Sequence, residues 1–398
     1  MPIRLRGSQQ DVTDQRAAEQ ALAAAAAERE AAERERRIAD ELQHSLLPAT
    51  TFDLDHLEVA AVDQPGVAGT QVGGDWYDVI EVGAGRTALV IGDVMGRGVR
   101  AAAVMGQLRA AVRAYARLDL TPADVLEFLD GVVRELGEVQ IVTCIYAVYD
   151  PHDRTLVDAN AGHLPPLLAA EGDGVRRLTG PGGPPLGAGP LRLEEEQLTL
   201  PVGSRLALYT DGLVERRTRN LDIGIDQLAD ALAASSGPIA DVPGALVAAL
   251  APEGSDDDVA MLVACVPEVR EHEPATLSIA DDVRAVHQAR AFTVATLDQW
   301  ALPATLARDA ILLVSEMVTN AIVHGRAPIQ LRLRRAREAL LLEVDDTATA
   351  VPRKLRPTAE DIHGRGLQLV AMMADEWGSR PTPGGKSVWC MLSLARYG

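Results

Sequence analysis

The chain has 398 residues, 47% of them hydrophobic, enough for two or three compact domains with real cores. A formal charge of −19 argues against a nucleic-acid-binding surface, because neutralising phosphates needs clustered Lys and Arg, and it points to proteins and nucleotides as partners. Cys144, Cys265 and Cys390 lie far apart in apolar stretches without CxxC spacing, so they read as small buried hydrophobes rather than ligands or disulfides.

No window approaches the ~18 apolar residues of a membrane span, and the first residues lack the apolar core of a signal peptide, so a cytoplasmic location without a membrane partner is expected. From Asp14 to Leu47 the sequence is Ala, Glu and Arg with almost no Gly or Pro, predicting one long helix that ends at Pro48. Its apolar positions Leu22, Ala25, Ala32, Ala39 and Leu46 follow a seven-residue spacing only loosely. That pattern leaves room for a homodimer through a coiled coil beside the plainer reading of a solvated connector. Ile38, Leu42 and Leu46 recur at i, i+4, i+8 and form one stripe.

Between residues 49 and 267, β-rich runs such as RTALVIGDV, IVTCIYAVYD and RLALYTDG alternate with Ala/Leu-periodic helices, predicting sheets covered by helices. The proline- and charge-rich stretch at 268–275 breaks the pattern as a linker would. Over 276–398 come a strand (TLSI), two long helices (281–300 and 302–324), a hairpin (IQLRLRR and ALLLEVDD), a helix (GLQLVAMMADEW) and a last strand (KSVWCMLSL). The whole reads as an α+β chain.

Four acidic clusters in the middle region sit at the ends of predicted strands: GGDWYD, GDVMGRG, YTDG and SDDDVAML. Hard divalent cations select carboxylate and carbonyl oxygens and keep several waters, so a few separated aspartates suffice to hold them. Any one Asp-Gly at a strand end is ordinarily a turn. Taken in order, however, the four resemble the metal motifs of the PPM (type 2C) protein serine/threonine phosphatases, in particular the SpoIIE/RsbU branch. ELQHSLLP, NAGHLPPLL and GGPPLG extend the likeness to segments that carry no ligand.

The resemblance implies a β-sandwich flanked by helices that holds two Mn²⁺ or Mg²⁺ ions. Asp93 would bridge both and serve as the catalytic aspartate, with the carbonyl of Val94 and the carboxylates of Asp75, Asp211 and Asp257 completing the set. The run Asp256-Asp257-Asp258 leaves the last position open by one residue. The ions would acidify a water for in-line attack on phosphoserine or phosphothreonine. In the same family the helix before the domain resembles a switch, and residues 1–13 look like the end of a PAS sensor, so that the chain would begin after most of it. His163, between glycine and prolines, reads as a structural loop residue.

In LVSEMVTNAIVHG, Glu316 and Asn320 lie four apart and share a helix face. A polar pair on a mostly apolar helix calls for partners. The segment resembles the N-box of the histidine-kinase-like (GHKL) ATPases, and the short domain is similar to the anti-sigma-factor kinase branch, with a GHKL-type α/β sandwich. The likeness implies Asn320 on the Mg²⁺ of ATP, Glu316 as general base and Asp346 accepting from the adenine amine. Gly364 and Gly366 would belong to a phosphate loop opening a helix. Asp346-Thr347-Ala348-Thr349 departs from the family by lacking glycine after the aspartate. The implied partners are a phosphorylated STAS-type anti-sigma-factor antagonist and a sigma factor. The implied function is dephosphorylation of that antagonist, opposed by a serine kinase or, in the alternative, by a domain that only binds ATP or a partner.

Overall fold

The computed structural model describes residues 16–27, 29–30, 34, 50–52, 54–66, 74–136, 140–216, 220–252, 254–255, 257–267, 273–280, 282, 284–348, 365–382 and 384–397. Residues 16–27 form an exposed helix, α1, within the span read as one long helix. The PAS-like segment and the stripe of Ile38, Leu42 and Leu46 lie outside the described residues.

A larger body follows, with strands β1 (Thr51–Phe52), β2 (Glu58–Gln64), β3 (Trp76–Val82), β4 (Arg86–Val94), β5 (Val142–Asp150), β6 (Thr155–Ala161), β7 (Leu167–Ala170), β8 (Gly174–Arg177), β9 (Glu196–Thr199), β10 (Arg205–Tyr209) and β11 (Val259–Cys265). Its helices are α2 (Val99–Ala116), α3 (Pro122–Glu135), α4 (Asp211–Val214), α5 (Leu221–Ala234) and α6 (Val242–Leu250). The strands make two antiparallel sheets, ordered β1-β2-β11-β10-β7-β8 and β3-β4-β5-β6-β9. Side chains alternate across a strand, and β4 shows what that does here. Leu89 and Ile91 pack between the sheets with Leu206, Leu208 and Leu262. Ala88 and Val90 face the other way, onto Met105 and Leu108 of α2 and Leu126 of α3. A third apolar layer seats α5 and α6 on Tyr209 and Met261. A strand covered on both faces has to be apolar throughout, which is why RTALVIGDV shows no polar alternation.

The smaller body contains β12 (Ala275–Ile279), α7 (Ala285–Gln299), α8 (Ala304–His324), β13 (Ile329–Arg335), β14 (Ala339–Asp346), α9 (Arg365–Met373), β15 (Glu376–Thr382) and β16 (Gly385–Ser393). Its antiparallel sheet runs β12-β13-β14-β16-β15, with α7 and α8 packed on one face through Leu297, Leu313 and Val314. One expectation fails locally. The helix read over GLQLVAMMADEW stops at Met373, and Glu376–Thr382 is a strand paired in register with β16 from Glu376↔Met391 to Thr382↔Gly385. Ala374 and Glu376 are helix formers, but Gly378 and Pro381 follow closely, and the edge of β16 pairs Glu376–Thr382 as a strand.

The other face of this sheet is covered by the larger body. On β14, Leu340, Leu342 and Val344 point to the helices, while Leu341 joins Ala84 and Trp389 in a small apolar seam. Around the seam, Trp389 Nε1 donates to Asp119 Oδ2 at 2.9 Å, and Arg334 Nη2 donates to the carbonyls of Ala84 and Gly85 at 3.0 and 2.9 Å. Arg380 Nη2 bridges Glu343 at 2.6 Å on its own sheet and Asp150 at 3.1 Å on the larger body. Arg332 pairs with Asp345 at 2.7 Å and Arg86 with Asp119 at 2.8 Å. The close approach needs a glycine at position 85, where a Cβ would sit 2.1 Å from Arg334 and φ is +61°. A cavity of about 530 Å³ lies along this seam, away from the acidic clusters.

The Arg380 guanidinium is 5% exposed, so removing it strands two carboxylates in a nearly dry setting. Arg380→Ala is expected to cost about 3–5 kcal/mol of folding stability. Urea unfolding of the two proteins side by side measures the difference.

Candidate metal centre and nucleotide site

Three aspartates sit where strands or turns of different elements end. Asp75 precedes β3, Asp93 is the penultimate residue of β4, and Asp211 opens α4 directly after β10. Asp257 and Asp258 precede β11. These turns interlock through glycine. A Cβ on Gly74 would lie 2.2 Å from the carbonyl oxygen of Val94, and one on Gly212 would lie 2.0 Å from that of Asp258. Val94 N donates to Gly74 O at 3.2 Å, and Ser255 Oγ donates to Gly212 O at 2.5 Å. Glycine is therefore required where one turn lies against the next, and the motif glycines bring the acids together.

The carboxylates sense one another strongly. Burial raises Asp75 well above the usual carboxylate range, with the charges of Asp93, Asp211 and Asp258 adding to it against a lowering hydrogen bond from Thr210. Asp93 is raised by burial, against a lowering hydrogen bond with Asp75, and further by the charges of Asp257 and Asp258. Burial, then Asp93 and Asp257, push Asp211 up to about 6. Crowded carboxylates of this kind cannot all ionise without counter-charge. The two candidates for the last acidic position differ in placement. Asp258 is buried and accepts from Gly66 N at 2.9 Å, whereas Asp257 is half exposed and pairs with Arg97 at 2.9 Å.

Among the described residues, no three acidic, His or Cys side chains already form a closed cage around one point. The donor set nonetheless fits Mg²⁺ or Mn²⁺, which take all-oxygen ligands, keep several waters and rely on one or two carboxylates each. The raised carboxyl groups are the structural sign of that fit, since a divalent cation would relieve the repulsion that raises them.

Two polar residues brace the site in ways the motif reading left unassigned. Thr210 Oγ1 donates to Asp75 Oδ2 at 2.6 Å and accepts from Ala260 N at 2.9 Å, joining the first acidic turn to β11. His163 Nε2 donates to the Tyr209 carbonyl at 3.1 Å, so Nδ1 accepts from Thr143 Oγ1 at 2.8 Å. Burial pushes this imidazole down to about 4, which keeps it neutral near pH 7. It ties β5 to the turn that carries Asp211. The glycine and prolines around His163 signalled a structural role, but its two partners are remote in sequence.

In the smaller body, Glu316 and Asn320 are half-buried on α8. A Cβ on Gly366 would stand 2.8 Å from Glu316 Oε2, so the start of α9 lies against that carboxylate. Asp346 shares the helix-facing side of β14 with Leu342 and Val344, close to Gly325 at the end of α8. Its Oδ1 accepts from Ala348 N at 2.8 Å and lies 3.3 Å from Lys386 Nζ, and both side chains are buried. The structure thus places Glu316, Asn320, Asp346 and Gly366 around one helix. Gly364 lies outside the described residues.

Residues 83–267 match the family model described as stage II sporulation protein E (SpoIIE), and residues 279–392 match the histidine kinase-like ATPase domain. The chain joins a SpoIIE-type phosphatase domain to a histidine kinase-like ATPase domain. A solved structure of the RsbU and RsbW domains of Rv1364c from Mycobacterium tuberculosis is similar at 27% identity and a TM-score of 0.52, covering 86% of this chain and 94% of that one. Phosphoserine phosphatase RsbU of Bacillus subtilis (strain 168) is 26% identical over 46% of this chain and 54% of its own. Phosphoserine phosphatase RsbP of the same organism is 29% identical over 37% of this chain and 38% of its own. The matches thus take in about a third to a half of these relatives' lengths. No described helix is long and apolar enough to cross a membrane, and all three cysteines are free.

Repulsion within the phosphatase domain's acidic cluster gives a pH signature. Because folding raises Asp211 to about 6, the folded protein holds more protons than the unfolded one between the ordinary carboxylate range of about 4 and that value. Without divalent ions, this group therefore lowers stability as pH rises through that window, and the penalty is complete above it. Melting temperatures of wild type and Asp211→Asn are expected to diverge in favour of the variant from about pH 4 to pH 6. The Asp75→Asn variant is expected to melt about 2–4 °C higher than wild type without metal and to lose most of the rise that Mn²⁺ gives wild type.

Proposed function

We propose that this chain is a metal-dependent protein serine/threonine phosphatase. Its substrate is a phosphorylated STAS-type anti-sigma-factor antagonist, and its C-terminal domain binds ATP in the same partner-switching circuit and regulates sigma-factor-dependent transcription. The observation that carries the reading is the convergence of Asp75, Asp93 and Asp211 beside the Asp257-Asp258 pair, with the carboxyl groups of the first three raised by burial and by neighbouring charges. Asp93, the carbonyl of Val94 and the flanking carboxylates would hold two Mn²⁺ or Mg²⁺ ions. When bound, such ions supply an activated water near neutral pH and offset the charge of the phosphoryl group. The protein's own part is to fix the ligands: Thr210 orients Asp75, and His163 anchors the turn of Asp211. The two RsbU- and RsbP-named relatives are phosphoserine phosphatases, which supports the substrate class. The reading includes a homodimer through the N-terminal helix, where Leu22 is 72% exposed on α1.

In the ATPase domain, Asn320 would hold Mg²⁺ on the nucleotide, Glu316 would act as base towards an acceptor serine and Asp346 would meet the adenine amine. A second reading keeps nucleotide or partner binding and drops phosphoryl transfer. It is favoured by the ion pair of Asp346 with Lys386, which already occupies the carboxylate, and by the missing glycine after Asp346.

Purified protein with Mn²⁺ is expected to release phosphate from a phosphorylated antagonist or a phosphoserine peptide, with Asp93→Ala at background. Absence of release in both proteins alike would refute the phosphatase reading. Labelled ATP with the unphosphorylated antagonist separates the two versions of the C-terminal domain. Transfer that is lost in Glu316→Ala supports the kinase, and no transfer by wild type supports binding alone.

A further inference from the structure

The loop between Asp93 and α2 carries Met95, Gly96, Arg97 and Gly98. Gly96 and Gly98 have φ of +116° and +90°, and Met95 N donates to the Ile141 carbonyl at 2.9 Å, so the loop has a defined shape on the edge of the acidic cluster. Arg97 Nη2 lies 2.9 Å from Asp257 Oδ2, with the two side chains 47% and 48% exposed. An ion pair this open contributes little to folding, about 0–1 kcal/mol, so stability does not account for placing a guanidinium there. Asp257, by contrast, acts electrostatically on both Asp93 and Asp211 and so belongs to the centre.

We propose that Arg97 binds the phosphoryl oxygens of the substrate and that, without divalent cations, its guanidinium rests on Asp257. This rests on the phosphatase reading and adds a substrate-binding residue to it. A phosphomonoester dianion approaching a floor of carboxylates needs a cation on its outer side. The planar guanidinium fork meets tetrahedral phosphate oxygens with two parallel N–H donors, which an ammonium does not. With Asp257 engaged in holding a divalent cation, the guanidinium would be free while the loop still holds Arg97 at the rim, and its half exposure leaves it open to a protein-borne phosphate.

Calorimetric titration of inorganic phosphate into the full chain at saturating Mn²⁺ tests the assignment without turnover. Wild type is expected to bind phosphate, Arg97→Ala to bind it about tenfold or more weakly, and Arg97→Lys to fall between the two. Mn²⁺ affinity in Arg97→Ala should equal or exceed that of wild type, because a competitor for Asp257 has been removed. Equal phosphate affinity in wild type and Arg97→Ala overturns the proposal, as does a wild type that binds no phosphate. Loss of Mn²⁺ binding in Arg97→Ala also overturns it, since Arg97 would then be shaping the centre. Failure of the phosphatase reading shows up separately, as wild type that binds phosphate yet releases none from a phosphoserine peptide.

Discussion

Mutual repulsion among carboxylates drawn from separate strand ends is the constraint on which this molecule is arranged. Asp75, Asp93 and Asp211 reach one space from three different elements, and the folded chain keeps them there although each is raised by burial and by its neighbours. A fold selected for stability alone would disperse them. The surrounding features hold them in place: Gly74 and Gly212 permit contacts that any side chain would block, Thr210 and His163 pin two of the turns, and three apolar layers cover β4 and β10 on both faces.

The same strands reach the second domain. β4 begins at Arg86, which pairs with Asp119 beside the seam, and nears its end at Asp93 in the acidic cluster. β5 faces Asp93 at Thr143 and ends at Asp150, which meets Arg380 of the ATPase domain. On the far side, β14 turns Glu343 towards Arg380 and Asp346 towards Lys386 and the end of α8. Buried guanidinium pairs with several partners each are stiff and specific compared with surface ion pairs. The two domains therefore meet over a defined surface that occupies the face of the ATPase sheet opposite its helices.

Much of this was legible in the sequence because the features that carry it are local. Asp at a strand end can be read without coordinates, and four such acidic clusters in order carried the resemblance that implied the α+β sandwich and its candidate acids. Glu316 and Asn320 at a four-residue spacing were equally readable on α8. What escaped were pairings whose partners are remote: His163 with Tyr209, Thr210 with Asp75, Arg97 with Asp257, and the seam of Arg380, Asp150 and Trp389. β15 was missed for a different reason, since EWGSRPT carries Gly378 and Pro381 and no strand-like run of β-branched residues, and only pairing with the edge of β16 makes it a strand. Asp257 and Asp258 differ in burial, which no motif encodes.

Anomalous diffraction from crystals grown with Mn²⁺ tests the central claim most directly. The account predicts two peaks about 3.5–4 Å apart, enclosed by Asp75, Asp93, Asp211 and the carbonyl of Val94, with Asp257 or Asp258 completing the shell. Peaks bound to other acidic residues of this strongly negative chain, with that enclosure left without manganese, would contradict it.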